Sequence, residues 1–431
     1  MKNQDQIYAL VDMNNCYVSC ERAFDPQLNH MPVIVLSNND GCVISRSEEA
    51  KQLGIKMAVP FYQIQSLVQQ HKIQVRSSNY KLYNEISRRF HNILKSSVSP
   101  LNHEFYSIDE GFLNLSQFQQ HDLSDFAQQI RQRIEQWLGI PVCIGIGRSK
   151  TEAKLANHLA KKNAYMAGVC NLAQMDLCSK EMLFQKIDVA EVWGVGRKNC
   201  KRLHALNIHS VFDLATADPA FIEKMFSVVM KRSVLELTGV SCLELEQIIT
   251  AKKQIISSRS FGQRISDLDS LSEAMSHFLQ IAVTGLRRQQ SLCNGLIAFV
   301  QSGTFPGRTQ YYQQSITINF ATPTDSALQM NQVLMSRMSE LFKSGIAFKK
   351  CGVILTGLEN KATHIHDLWA DHEQLEKFEK LQCVMDQVKQ RYGQQGLAIG
   401  ATQLPERDWS MTQHHLSPDY FSLEGLPAIY H

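Results

Sequence analysis

The chain reads as a multidomain α+β protein, and three observations carry that reading. Its 431 residues exceed one core, because a domain takes roughly 100–200 residues, so three or four units are expected. Strand-like segments mix with amphipathic helical ones in no fixed repeat. Acidic residues stand at the tips of apolar strands. An apolar content of 44% is ordinary and supports sizeable cores. No stretch approaches the roughly 18 apolar residues of a membrane span. Met1–Gln6 lacks the apolar stretch of a signal peptide, so a cytoplasmic protein with no membrane partner is expected. The 11 cysteines include no C-x-x-C pair, which argues against a disulfide frame or a zinc site. Cys16 and Cys20, at helical spacing, read as buried thiols. A net charge of +3 leaves the partner class open, and local clustering is more informative.

The uncharged run Ile7–Val11 suits a central strand buried on both faces. It delivers Asp12 at its tip, where Asn14 and Asn15 begin a turn. A hundred residues on, Tyr106–Leu115 reads as two short strands around a tight turn, carrying the adjacent pair Asp109 and Glu110. Neighbouring strand residues point to opposite faces, so these two share a site only if the backbone bends, and Gly111 makes a bend cheap. Three gathered carboxylates raise one another's pKa unless a hard cation neutralises them. An oxygen-only set of this kind suits Mg²⁺, as a pair in a phosphoryl-transfer site.

Basic residues gather on two helices. Ser45-Arg46-Ser47-Glu48 has the capping-box pattern and is expected to open a short helix that carries Lys51 and ends at Gly54. Ser149-Lys150-Thr151-Glu152 repeats the pattern, after the strand Pro141–Gly147, and opens a helix through Lys162. Lys150, Lys154, Lys161 and Lys162 supply its charge. Helix starts present free N–H groups to phosphates, so the pair points to triphosphate binding. Val192–Lys198, with Gly194 and Gly196 between apolar residues and Lys198 following, looks like a helix-hairpin-helix. Its glycines would let backbone N–H groups approach a DNA phosphate. From Ile255 to Leu358 the order is strand-helix-strand-strand-helix-strand, with the second helix spanning Ala327 to Phe342. That is a small α+β domain with one sheet face covered, whose other face would carry Arg259, Arg264 and Lys350 toward a phosphate backbone. Beyond it the chain is more polar. Leu375–Tyr392 reads as a helix, and His364 and His366 as exposed histidines.

In this order and spacing, several strings resemble the Y-family translesion DNA polymerases, and within them the UmuC branch found in bacterial DNA polymerase V. They are Val11–Asn14, Tyr17–Glu21, Ser37–Arg46, Ser77–Tyr80, Tyr106–Glu110 and Ala153–Asn157, with Leu416–Tyr420 near the end. The Ser-Asn-Asn-Asp-Gly-Cys block points to that branch. The resemblance implies a right-hand polymerase. Its ferredoxin-like palm would take residues 1–18 and 80–180, small fingers 19–79 and a helix-hairpin-helix thumb 181–245. An α+β little finger would take 250–358 and a partner-binding tail 359–431. It implies that Asp12, Asp109 and Glu110, with the carbonyl of Met13, hold two Mg²⁺ ions. Tyr17 would be the aromatic steric gate that rejects a ribonucleotide's 2′-hydroxyl, and Ser45, Lys51 and Lys161 would contact the triphosphate. Gly194, Gly196, Lys198 and Arg259 would contact DNA. Primer-template DNA and dNTP are the implied substrates, in error-prone synthesis across damage during the SOS response. A UmuD-like dimer and RecA are the implied partners. Glu48 stands where relatives carry an aromatic. Ile365–Trp369 lacks the leading Gln of a sliding-clamp peptide, so only weak clamp binding is expected. Two rivals remain at this stage: a catalytically silent polymerase-like accessory protein, and a palm-fold nucleotide cyclase, which would need neither the hairpin nor the little finger.

Overall fold

The uncharged opening run forms β1 (Tyr8–Met13), buried along its whole length because both faces are covered, Ala9 and Val11 entering one core and Tyr8 and Leu10 packing with Ala153 on the other side. A computed structural model describes residues 6–246, 251–303, 311–365, 372–393, 397, 399 and 409–422. The elements after β1 are α1 (Cys16–Phe24), β2 (Val33–Leu36), β3 (Val43–Arg46), α2 (Glu48–Gln52), α3 (Gln65–Gln70), β4 (Gln74–Ser77) and α4 (Tyr80–Val98). Then come β5 (His103–Phe105), β6 (Glu110–Asn114), α5 (Leu123–Leu138), β7 (Val142–Gly147), α6 (Lys150–Lys162) and β8 (Val169–Asn171). Helices α7 (Leu177–Gln185), α8 (Arg197–His204), α9 (Val211–Ala215), α10 (Pro219–Met225) and α11 (Val228–Leu237) follow. These elements belong to one unit of Met1–Ser37, Gly41–Ile249 and His415–His431.

This unit holds two sheets. The five-stranded sheet has the order β5-β6-β1-β7-β8, with β1 central and antiparallel to both neighbours. Helices α4 and α5 bury Phe90, Leu94, Ile130 and Ile134 with Val11 and Ile144 in one core. A small sheet, β3-β2-β4, has its own core of Ile34, Leu36, Val43 and Ile55. Helices α8, α9 and α11 pack through Leu203, Val211, Leu214 and Val234 into a core shared with α6. Cys16 and Cys20 are buried on α1, as their spacing predicts.

Asn38–Asp40 and Thr250–His414 make the second unit. Its elements are β9 (Ile255–Ile265), α12 (Leu268–Arg288), β10 (Ser291–Gln301), β11 (Gln313–Thr324), α13 (Ala327–Ser336), β12 (Phe348–Asn360) and α14 (His372–Tyr392). The strand-helix-strand-strand-helix-strand order is the expected one, and the antiparallel sheet runs β11-β10-β12-β9. Helix α13 stops at Ser336 and gives way to a 3-10 turn at Met338–Glu340, short of the expected end at Phe342. Within this unit, Asn39 donates its amide to the Ser260 carbonyl at 2.8 Å and accepts the Thr412 N–H at 2.9 Å.

Candidate active site

The acids converge through strand pairing. The β1–β6 register sets Asp12 opposite Glu110, and directly opposed residues of an antiparallel pair keep their side chains on one face, about 4.5–5.5 Å apart at Cβ. Asp109 precedes β6 in a turn, and its carbonyl accepts the Met13 N–H at 2.9 Å, so the turn is tied to the end of β1. The hairpin differs from expectation in detail. Its first strand is His103–Phe105, and Tyr106–Asp109 is the turn itself. The bend also comes from another residue: the Ser107 hydroxyl accepts the N–H groups of Asp109 (3.2 Å) and Glu110 (3.0 Å) and donates to Asp109 Oδ1 at 2.6 Å. Gly111 has no left-handed φ. Its missing side chain admits α4, because a Cβ there would lie 2.7 Å from Leu94 Cδ1 and 3.3 Å from His91 Cε1.

Helix α6 supplies the countercharge. Lys161 Nζ lies 2.6 Å from Asp12 Oδ1, and Lys154 Nζ lies 2.9 and 3.1 Å from the two Glu110 oxygens. Residues seven apart return to one helix face after two turns, so both lysines overlook β1 and β6. Lys154 also sits over the Tyr106 ring, 4.4 Å from its centroid, and 5.3 Å from that of Trp193. A cleft is lined by Asp12, Glu110, Lys154, His158, Lys161 and Trp193. Burial pushes the Asp12 carboxyl up to about 7; Lys161 opposes this, and Glu110 and Asp109 add to it. Three hard oxygen donors against two ammonium groups leave negative charge in excess, which is the condition a divalent cation satisfies.

The expected phosphate contacts take different places. Helix α6 is capped by Ser149, as predicted, but its start is closed: Glu236 accepts the Thr151 N–H at 3.0 Å and its hydroxyl at 2.6 Å. Lys150 is buried against Glu104. The helix therefore meets the acids with its lysine face and not with its N-terminus. The first basic helix begins later than expected, because β3 stays paired with β2 through Arg46. Its cap is Ser47, whose hydroxyl accepts the Ala50 N–H at 3.2 Å. Ser45 is a buried strand residue whose hydroxyl accepts the Val18 N–H at 3.4 Å and donates to the Asn15 carbonyl at 3.3 Å, at the start of α1. Lys51 pairs with Glu48 at 2.9 Å on the surface. Tyr17 on α1 is half-buried, with one face stacked on Tyr83 at 4.4 Å between centroids and 15° between planes. Gly194 has φ +87°, and at both Gly194 and Gly196 an added Cβ would meet no atom within 4 Å. Lys198 is exposed on α8.

In the second unit the sheet register separates residues expected on one face. Arg259 pairs with Cys351, whose side chain lies in the helix-covered core, while Lys350 pairs with Ser260. Arg259 thus belongs to the covered face at the exposed strand edge, and Lys350 to the open face. Arg264 joins the open side, next to buried Ile265, and donates to the Ser302 carbonyl at 3.1 Å. His364 is paired with Glu359 at 2.7 Å and is not the exposed histidine expected. His366 and most of Ile365–Trp369 lie outside the described residues. Sequence reasoning counted Lys154 among the helix's charges without pairing it to an acid, and gave Ser107 and Tyr83 no role at the site. The seven-residue spacing of Lys154 and Lys161 was the available signal.

Residues 11–158 match the impB/mucB/samB family, 252–368 match the C-terminal domain of that family, and 379–422 match a domain of unknown function. Protein UmuC of Salmonella typhimurium is 36% identical over 96% of this chain and 97% of its own length. DNA polymerase IV 1 of Bacillus subtilis is 26% identical over 93% and 94%. Among solved structures, a Y-family DNA polymerase chimera of Dbh and Dpo4 superposes with a TM-score of 0.63 at 18% identity, covering 82% of this chain and 99% of that one. The insertion ternary complex of Dbh DNA polymerase gives 0.53 at 18% identity, with the same coverage. The fold is the right-hand polymerase fold. The chain belongs to the impB/mucB/samB family, as a UmuC-like Y-family DNA polymerase.

Proposed function

We propose that this error-prone, DNA-directed translesion polymerase runs its metal-dependent nucleotidyl transfer on two Mg²⁺ ions held by Asp12, Asp109, Glu110 and the Met13 carbonyl. The observation that carries the proposal is the pairing of Asp12 with Glu110 across β1 and β6 under the lysine face of α6, with Asp109 in the adjoining turn. When bound, the ions supply Lewis-acid activation of a primer 3′-hydroxyl and charge neutralisation at the phosphates. The chain's own groups do the remaining work. Ser107 fixes Asp109 and Glu110 in one turn, and β1 fixes Asp12 beside them. Lys161 exchanges its Asp12 contact for a triphosphate oxygen as substrate arrives, and Ser45 and Lys51 join it by releasing the Asn15 carbonyl and Glu48. Tyr17, backed by Tyr83, excludes a 2′-hydroxyl.

Residues 1–18 and 80–180 serve as palm, 19–79 as fingers, 181–245 as thumb, 250–358 as little finger and 359–431 as partner-binding tail. Gly194, Gly196 and Lys198 meet DNA phosphates without reading sequence. Lys350 and Arg264 do so from the open sheet face, and Arg259 from the strand edge. A UmuD-like dimer and RecA are the proposed partners in the SOS response, in the cytoplasm, with weak binding to the sliding clamp. Among the described residues no helix is long and apolar enough to cross a membrane. Asp109→Asn tests the metal assignment. Primer extension should fall by at least about 10³-fold, as expected when electrostatic stabilisation of the transition state is lost. DNA affinity by fluorescence anisotropy should change little. Extension at the wild-type rate would eliminate the metal assignment.

A further inference from the structure

The segment His415–Phe421 packs against earlier parts of the first unit along a line of contacts. The His415 carbonyl accepts the Ser77 N–H at 2.9 Å, and the Ser77 hydroxyl accepts the His415 N–H at 3.0 Å. Asp419 pairs with Lys81, and Tyr420 stacks on Phe24 with 4.7 Å between centroids. The centre of this segment is Ser417, only 5% exposed in an otherwise open stretch. Its hydroxyl accepts the Asn79 amide at 3.0 Å and donates to Glu21 Oε1 at 3.2 Å. Glu21 is fully buried, and the same oxygen accepts the Tyr83 hydroxyl at 2.7 Å. Tyr83, itself fully buried, is the ring on which Tyr17 stacks. Ser417 is thus three contacts from the residue assigned to sugar selection.

We propose that His415–Phe421 is a strap acting within its own chain, and that Ser417, Glu21 and Tyr83 are positioning residues that hold the steric gate rigid. The proposal gives the last part of a domain of unknown function, residues 379–422, a role in nucleotide selection. The physical argument is one of stiffness. A gate rejects a 2′-hydroxyl only if its ring cannot retreat when pushed, because discrimination comes from clashes that the protein cannot relieve. Tyr83 blocks the retreat of Tyr17, and its own ring is pinned at the hydroxyl by the buried carboxylate. That carboxylate is fixed in turn by Ser417, and Ser417 is anchored by Asn79, whose side chain also caps α4 by accepting the Leu82 N–H at 3.1 Å. Removing Ser417 or the Tyr83 hydroxyl leaves a buried carboxylate short of a donor and frees the ring beneath the gate.

The inference rests on the reading of Tyr17 as the gate, and the experiment separates the two. Single-nucleotide incorporation by the full chain is measured with dNTP and with the matching rNTP, and the ratio of kcat/KM values is compared across variants. Tyr17→Ala should raise relative rNTP use most. Ser417→Ala and Tyr83→Phe should each raise it by roughly fivefold, the factor that one lost hydrogen bond carries. Ser417→Thr, which keeps the hydroxyl, should restore the wild-type ratio, and Ser417→Ala should add nothing in a Tyr17→Ala background. If Tyr17→Ala raises rNTP use while Ser417→Ala and Tyr83→Phe match the wild type, the strap is overturned and the gate stands. If Tyr17→Ala itself leaves the ratio unchanged, gate and strap fall together. Should Ser417→Ala fail to fold, Tyr420→Ala, which loosens the strap at Phe24, takes its place: a raised ratio supports the strap and a wild-type ratio overturns it.

Discussion

Gly145 is the place where one methyl group should damage both stability and chemistry. It lies on β7 opposite Leu10 of β1, beneath the helix that carries Lys154 and Lys161. A Cβ at this position would stand 2.0 Å from Asn157 N, 2.3 Å from the Ala153 carbonyl oxygen and 2.6 Å from Ala156 C. All three are backbone atoms of α6, so no rotamer change relieves the clash. Ordinary contact begins near 3.4 Å, and α6 must therefore withdraw by about 1.4 Å. Withdrawal breaks the bond from Asn157 Nδ2 to the Cys143 carbonyl, now 2.7 Å, and draws both lysines away from Asp12 and Glu110. Overpacking of this kind costs about 1–3 kcal/mol, and the lost hydrogen bond about 1 kcal/mol more. A displacement of about 1 Å at reacting groups costs on the order of 100-fold in rate. Gly145→Ala should accordingly lower the urea midpoint and reduce single-turnover incorporation by roughly 100-fold under conditions where the variant is still folded. A variant with wild-type midpoint and wild-type rate would refute the account of α6 as a helix clamped to the sheet by a glycine contact.

Three further outcomes follow from the same geometry. Burial lowers the imidazoles of His91 and His103 to about 4, in a chain where His91 Nδ1 meets His103 Nε2 at 3.0 Å and His91 Nε2 meets the Ser107 carbonyl at 2.9 Å. Folded values below the unfolded one mean that the unfolded chain binds more protons between about pH 4 and 6.5, so stability is fully present above 6.5 and is lost as the pH falls toward 4. Unfolding free energies from urea titrations at pH 7.5 and pH 5 should differ by up to about 4 kcal/mol through this pair, and a His91→Gln/His103→Gln variant that kept the full wild-type pH slope would contradict the assignment. Gly196→Ala should leave the urea midpoint unchanged, because φ is −81° and no atom lies within 4 Å, yet weaken DNA binding several-fold in an anisotropy titration; undiminished affinity would remove Gly196 from the phosphate contact. Lys161→Met should raise the KM for dNTP about tenfold or more while DNA affinity holds, and an unchanged KM would show that Lys161 serves Asp12 alone.

How much of this was legible depends on how local each cause is. The charge-free run before Asp12 was legible as a central strand, because an unbroken uncharged run suits burial on both faces, and the strand fixed the acid at its tip. The strand-helix alternation from Ile255 onward was equally legible, since period-2 and period-3.6 patterns are properties of the segments themselves. What failed were inferences that depend on a distant partner. Ser45 precedes Glu48 at capping-box spacing, and only the pairing of Ile34 with Arg46 decides that the strand runs on and Ser47 takes the cap. Gly111 looked like a hinge, and only α4 packed behind it makes it a spacer. Arg259 looked like a companion of Lys350 until the register with Cys351 set it on the other face. The α6 N-terminus looked open, and Glu236, more than eighty residues downstream, fills it. The tail is the extreme case: nothing in Leu416–Tyr420 discloses that its serine reaches a buried glutamate near the start of the chain. The site is therefore a local strand motif completed by long-range contacts. Variants at Ser107, Glu236 or Ser417 should alter catalysis or selection while leaving Asp12, Asp109 and Glu110 in the sequence.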